Sequence, residues 1–177
     1  MDTCSHLVEI FYADERLIEG VADFLAAGFA DGSACIAAVT PAHRTRIDAA
    51  LAARGYDGDE LVAAYRYIVM DARATLASFR SDGAFDVAEF HRSVGQLIAL
   101  AASGGREVRI VGEMVVLLAE AGEGSAVIEL EEMWNDLSRE HPFTLYCVYP
   151  ANVFEGPLGP RERQQIRALH SRAFERA

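Results

Sequence analysis

The sequence predicts an α/β protein: a mostly parallel sheet of about five strands with helices on both faces. Three observations carry that reading. Short runs of β-branched and apolar residues alternate with longer stretches of helical period. The helical stretches are bounded by capping residues, prolines and glycines. Finally, Val108-Arg109-Ile110-Val111-Gly112-Glu113-Met114 passes from a β-branched segment through glycine and a carboxylate into a helix-like run. A buried parallel strand ends in this way at a ligand crevice.

Taken in order, His6-Leu7-Val8-Glu9-Ile10-Phe11-Tyr12 reads as the first strand. Asp14 is placed to cap the next helix, whose Leu17, Val21, Phe24 and Leu25 share a face, and Gly28 is placed to end it. Asp31-Gly32 turns into a second strand over residues 34–39. Thr40 as N-cap and Pro41 at the first helical position open a helix through Ile47 and Leu51 to Gly55. Tyr67-Ile68-Val69-Met70 is the third strand, and Asp71 caps a short helix with Leu76 and Phe79. Ser81-Asp82-Gly83 is a turn. Phe85 and Asp86 open a longer helix carrying Phe90, Val94, Leu97 and Ile98, closed by Gly104-Gly105. The central strand follows, then a helix through Val115, Leu117 and Leu118. Gly122 and Gly124 interrupt the chain, and Ser125 is placed to cap a helix with Ile128, Met133, Trp134 and Leu137 that stops at Pro142. Residues 143–149 form the fifth strand. Pro157, Gly159 and Pro160 make a linker, and residues 161–176 read as a charged amphipathic helix with Ile166, Leu169, Ala173 and Phe174 on one side. The expected division is a domain over residues 1–156, then the linker and C-terminal amphipathic helix over 157–177.

Composition removes several classes of function. A chain of 177 residues, 51% hydrophobic, suits one domain with a full core and argues against disorder. No apolar run approaches the ~20 residues of a membrane span. The stretch Met1-Asp2-Thr3-Cys4-Ser5-His6 has no basic segment ahead of an apolar one, so no secretory signal is expected and the cytoplasm is. The net charge of −11, with no basic cluster before the C-terminal helix, argues against direct nucleic-acid binding. All 16 basic residues are arginine. Without lysine the chain has no side-chain Schiff base and no lysine-bearing phosphate loop. Cys4, Cys35 and Cys147 are odd in number and far apart, which fits neither a disulfide framework nor a zinc ribbon.

Ligands in open parallel sheets bind beyond the carboxyl ends of the strands. Those ends hold Tyr12, Thr40, Asp71, Gly112-Glu113 and Tyr149. The first turn, Tyr12-Ala13-Asp14-Glu15-Arg16, has no glycine and puts two carboxylates where a phosphate would sit, so a conventional ATPase is rejected. Glu113 reads either as a ligand-facing acid or as an acid complementing a helix dipole. Arg109, on a buried strand, calls for a carboxylate partner or a ligand. His6 and His91 have the chemistry of metal ligands or general bases. A lone histidine is more often structural, and a transition-metal site needs three or four convergent ligands, so no metal and no cofactor are expected. Cys147 reads as a small buried hydrophobe or a sensing thiol. Tyr12, Trp134, Tyr146 and Tyr149 line either a pocket or the core. No arrangement supplies a nucleophile, a base and an oxyanion hole.

One ordered set of residues extends from His6 to Phe154. It comprises His6 with Phe11-Tyr12, Gly28 to Gly32, Asp82-Gly83-Ala84-Phe85-Asp86, Arg109 with Gly112-Glu113-Met114, Glu131 with Asn135, Cys147 with Tyr149, and Phe154. This set resembles the MEDS family, the methanogen/methylotroph, DcmR-type sensory domain. The chain departs from the pattern at Pro150, where the family carries an acid, and at Leu130, where it carries an aromatic. The resemblance implies a degenerate RecA/KaiC-like fold that has lost its phosphate-binding loop, with residues 108–112 as the former Walker B strand. It implies a non-catalytic sensory domain binding a small organic ligand of the hydrocarbon-derivative class. Signalling would pass through a partner: a histidine kinase, an anti-sigma factor or a transcription regulator. The candidate ligand-binding residues are Tyr12, Arg109, Glu113, Glu131, Tyr149 and His6. Such a chain would act as a stand-alone sensor and is compatible with a homo-oligomer. Two other readings stay open: a protein-interaction module without a small ligand, and an enzyme using Glu113 and His91.

Overall fold

Alternation along each strand sorts the side chains onto the two faces of a parallel sheet. The computed structural model describes residues 5–176, so Cys4 and the reading of the first residues lie outside the described part. The chain runs β1 (Ser5–Phe11), α1 (Asp14–Ala30), β2 (Ala34–Val39), α2 (Pro41–Ala53), α3 (Gly58–Ala63), β3 (Tyr67–Asp71) and α4 (Ala72–Ser78). A small hairpin, β4 (Arg80–Ser81) and β5 (Ala84–Phe85), leads to α5 (Val87–Ala101), β6 (Val108–Gly112), α6 (Met114–Glu120) and α7 (Gly124–Glu140). β7 (Thr144–Pro150), α8 (Ala151–Glu155), α9 (Pro160–Leu169) and β8 (Arg172–Arg176) complete it. The main sheet has the order β3-β2-β6-β7-β1-β8, and every neighbouring pair is parallel. All five expected strands are present, with the central one, β6, between β2 and β7.

One face buries Val8, Ile10, Ile36, Ile110, Leu145 and Cys147 against α5, α6, α7 and the segment around α8. The other buries Cys35, Ala37, Val39, Val111, Tyr146 and Val148 against α1, α2 and α3. Helices on both faces explain why the inner strands are near-continuously apolar. Thr40, Asp71 and Asp86 cap their helices as expected, accepting from the backbone N–H of His43, Ala74 and Glu89.

Four local expectations differ. Ala13, not Asp14, is the N-cap of α1, and Asp14 sits inside the first turn. Glu123, not Ser125, occupies the N-cap position of α7. Gly28 does not end α1. It lies within the helix where the Arg109 side chain and the Cys35 sulfur cross it. The C-terminal helix stops at Leu169 rather than running to residue 176, and Arg172–Arg176 instead pairs with Leu7–Phe11 as a sixth strand. The reason is tertiary. Ser171 N–H and the Ser171 hydroxyl both donate to His6 O (2.7 and 2.8 Å), and the hydroxyl accepts from His6 N–H (2.9 Å). This clip aligns the tail on the open edge of β1. Its charged residues suit an edge strand, which natural sheets keep from pairing further by such charges. Among the described residues no helix is long and apolar enough to cross a membrane.

Candidate functional site

Two places in the fold gather chemistry. The first is the crevice beyond the carboxyl ends of β2, β6, β7 and β1. There Gly112 ends β6 and Glu113 begins the turn into α6 with φ −108° and ψ 3°. Its side chain does not cap α6. It crosses to the start of α2, where it accepts from Thr40 N–H at 2.8 Å and is paired with His43 Nδ1. His43 Nε2 lies 3.3 Å from Asp14, which is paired with Arg46. An imidazole with a carboxylate at each nitrogen is favoured in its doubly protonated form. The Glu113 hydrogen bond is the largest cause holding the His43 pKa above the ordinary imidazole range, against the opposing effect of burial. The Arg46 hydrogen bond holds Asp14 below the usual carboxylate range.

Glu113 is only 3% exposed. It lines a cavity of 220 Å³ together with the apolar Leu17, Val116 and Leu117, the charged Arg73 and Glu120, and Thr40, His43 and Pro150. A neighbouring cavity of 310 Å³ shares Leu17, His43 and Pro150 and continues past Asp14 to Tyr12. Tyr12 stands at the rim, 52% exposed, its hydroxyl donating to Glu155 at 2.8 Å. No phosphate cradle exists at this turn, because Asp14 with its cationic partners fills the start of α1. The crevice can hold a small molecule with an apolar body and one polar handle.

The second place is a buried cluster on the opposite face, toward the amino ends of β1 and β7. His6 and Cys147 point the same way from neighbouring strands, and α7 lays Glu131 over them. His170 follows α9 and stacks its ring 3.8 Å from that of His6. The Tyr149 hydroxyl donates to Glu131 Oε1 at 2.8 Å. Glu131 is fully buried. Burial alone would raise its pKa, but the His6 hydrogen bond, with His170 and the Tyr149 hydroxyl, outweighs that and holds it below the usual range. Burial, then the Glu131 charge, pushes the Cys147 thiol and the Tyr149 hydroxyl well up. Burial pushes His170 down, toward the neutral ring. A cavity of 330 Å³ lined by Trp134, Asn135, Phe143, Leu145, His6 and His170 adjoins the cluster.

The six expected ligand residues therefore divide. Glu113 and Tyr12 belong to the crevice. His6, Glu131 and Tyr149 belong to the cluster, Tyr149 pointing away from the crevice into the core. Arg109 joins neither: it pairs with Asp31 at 2.7 Å and lies over the Phe24 ring. His91 pairs with Glu140 at 3.2 Å, so the structure gives it and Glu113 different partners. Sequence reasoning missed His43 and His170. His43 had a signal, one turn inside a Thr-Pro helix start at a strand's carboxyl end. His170 had none, because it fell in the middle of an expected helix.

The family model described as "MEDS: MEthanogen/methylotroph, DcmR Sensory domain" matches residues 5–170. Among solved structures, the chain is similar to a KaiC-like protein from the hyperthermophilic archaeon Pyrococcus horikoshii. The TM-score is 0.58 at 14% identity, over 83% of this chain and 61% of that one. The chain thus spans about three-fifths of that protein's length, and the likeness establishes the fold alone: α/β and RecA/KaiC-like. No curated protein matches the chain in sequence.

Proposed function

The chain belongs to the methanogen/methylotroph, DcmR sensory domain family, and on that premise we propose that it is a non-catalytic sensor taking a small organic molecule into the crevice over Glu113 and His43. The ligand class is a short hydrocarbon derivative with one polar group. The observation that carries this reading is the buried Glu113 carboxylate, held between the end of β6 and the start of α2 and lining a 220 Å³ cavity. That volume suits a small molecule of a few heavy atoms. Leu17, Val116 and Leu117 offer apolar contact, and Glu113 with His43, flanked by Arg73 and Glu120, offers polar partners.

The same carboxylate suggests how occupancy is passed on. Glu113 joins α6, which follows it, to α2, accepting from the N–H of its N-cap Thr40. A ligand that takes over one of its hydrogen bonds favours a different setting of α2 against α6. Only such a difference in affinity between two settings can shift their populations. The altered helix faces would then change contact with a partner regulator, whether a histidine kinase, an anti-sigma factor or a transcription regulator.

The test is a thermal-shift panel of short-chain alcohols, aldehydes, acids and halogenated hydrocarbons. A binder present at a hundred times its Kd stabilises the folded state by about 2.7 kcal/mol. For a domain of this size that raises Tm by roughly 5–10 °C. Glu113→Gln should abolish the shift while remaining folded. A panel with no shift for any member, or a shift that Glu113→Gln leaves unchanged, refutes the reading.

A further inference from the structure

Hydrogen bonds join His6, Cys147 and Tyr149 to Glu131, but they leave the buried His170 Nε2, which faces the same carboxylate, without a partner. One ligand-type atom from each residue lies within 4.8 Å of the other three, and all four residues are buried. Four of the six separations are 3.1 Å from His6 Nε2 to Glu131 Oε2, 3.4 Å from His6 Nε2 to Cys147 Sγ, 3.5 Å from Cys147 Sγ to Glu131 Oε2, and 3.7 Å from His170 Nε2 to Glu131 Oε2, and the other two, from His170 to His6 and to Cys147, are within 4.8 Å. Metal bonds of about 2.0–2.3 Å to nitrogen, oxygen and sulfur in a tetrahedron give edges of about 3.3–3.6 Å.

The hydrogen positions follow from the outer contacts. Asn135 donates its amide Nδ2 to Leu169 O at 3.1 Å, which turns its Oδ1 toward His6 Nδ1 at 3.0 Å. His6 Nδ1–H thus has an acceptor of its own in Asn135, and His6 Nε2, which faces Glu131 at 3.1 Å, is the nitrogen free to exchange its proton for a metal. His170 Nδ1 lies 2.6 Å from Ile166 O, so it too is protonated there and presents Nε2. His170 Nε2 is buried and makes no hydrogen bond. His6 Nε2 and the Cys147 thiol thus both converge on Glu131 Oε2, while the buried His170 Nε2 lone pair faces the same oxygen with no proton between them. The outer arrangement is what metal-binding histidines and carboxylates show: each ring fixed through its far nitrogen, and the second carboxylate oxygen held by Tyr149.

We propose that His6, Glu131, Cys147 and His170 form a four-ligand site for one divalent zinc-class ion. The mixed nitrogen, sulfur and oxygen set suits a borderline ion without strong geometric demands, which selects Zn²⁺ over Mg²⁺ or Ca²⁺. Loading displaces the Cys147 thiol proton and the His6 Nε2 proton to solvent. The dication then meets one thiolate and one carboxylate, and the buried site becomes neutral. The cavity lined by His6 and His170 gives the ion an entry path. The ion would tie β1, α7, β7 and the segment after α9 at one point, on the other face of the sheet from His43.

The 177-residue chain, stripped with a chelator and titrated with Zn²⁺ alone, should bind one ion per chain. Refilled with Co²⁺, it should show a thiolate-to-cobalt charge-transfer band and tetrahedral ligand-field bands. Cys147→Ser should lose the charge-transfer band, and a Cys4→Ser, Cys35→Ser double variant should keep it. Tyr149→Phe, which keeps every ligand and the packing, should weaken affinity about 10–100-fold; it decides the matter should Cys147→Ser not fold. Glu113→Gln should load as the parent does. The proposal is overturned by a folded parent that does not take up stoichiometric Zn²⁺, or by a Co²⁺ spectrum without the thiolate band. Loading that survives Cys147→Ser but is lost in Glu113→Gln also overturns it.

Discussion

His43 is where the crevice can be interrogated by pH. Its imidazole gains two carboxylate partners on folding, so its folded pKa stands above its unfolded value near 6.5. A raised cationic pKa adds stability that is fully present below the unfolded value and is lost as pH rises through the folded one. His43→Gln should therefore cost about 1–2 kcal/mol at pH 6, the scale of a charge-assisted hydrogen bond, and clearly less at pH 9. Urea denaturation of both proteins at the two pH values measures this, and an equal cost at both would rule out the imidazolium. The residues of the site were legible to different degrees. Glu113 stood out because it follows a strand-ending glycine at a sheet's carboxyl end, though a helix-dipole acid reads the same way along the chain. Glu131, Tyr149 and His6 were legible only as members of a family pattern. Nothing along the chain says that residues near both its ends meet over β7. The periodicity of a strand says which way Cys147 points, and not what a distant helix lays on top of it.

At the scale of elements, α1 rests on the sheet at Gly28. A Cβ there would stand 2.7 Å from Arg109 Cδ and 2.8 Å from Cys35 Sγ. The arginine can swing, since it reaches outward to Asp31, but the cysteine is short and buried. Gly28→Ala should cost about 1–3 kcal/mol as overpacking. Cys35→Ala in the same chain should recover most of it, a coupling that a double-mutant cycle in urea reads directly. If the two costs simply add, helix–sheet contact at Gly28 is not the cause. The four inner strands were legible because burial on both faces demands unbroken apolar residues, and the edge strand β3 because its Tyr67-Ile68-Val69-Met70 run is short and ends at a capping Asp71. Residues 172–176 were not legible. Ala173 and Phe174 fit the period of the preceding helix, and a solvated edge strand has the composition of a solvated helix. Only the Ser171 clip on His6 decides between them, and that contact is invisible until both ends of the chain are placed.

For the molecule as a whole, β8 covers the outer edge of β1 and completes the sheet. Deleting residues 171–177 strips that edge and removes the clip on His6. The shortened protein should melt at least about 5 °C lower, given the loss of several hydrogen bonds. It should also self-associate through the bared strand, which sedimentation velocity would detect. An unchanged melting point in a monomeric product would mean the strand is an ornament of the fold. The order of the sheet also bears on how the chain is made. β1 precedes both of its neighbours, β7 and β8, with the other strands of the sheet made in between. At ribosomal speeds of about 5–20 residues per second the nascent first strand waits roughly 10–30 s for either companion. Its apolar residues spend that time outside any finished sheet, so birth, more than the mature state, is when this protein most needs a chaperone.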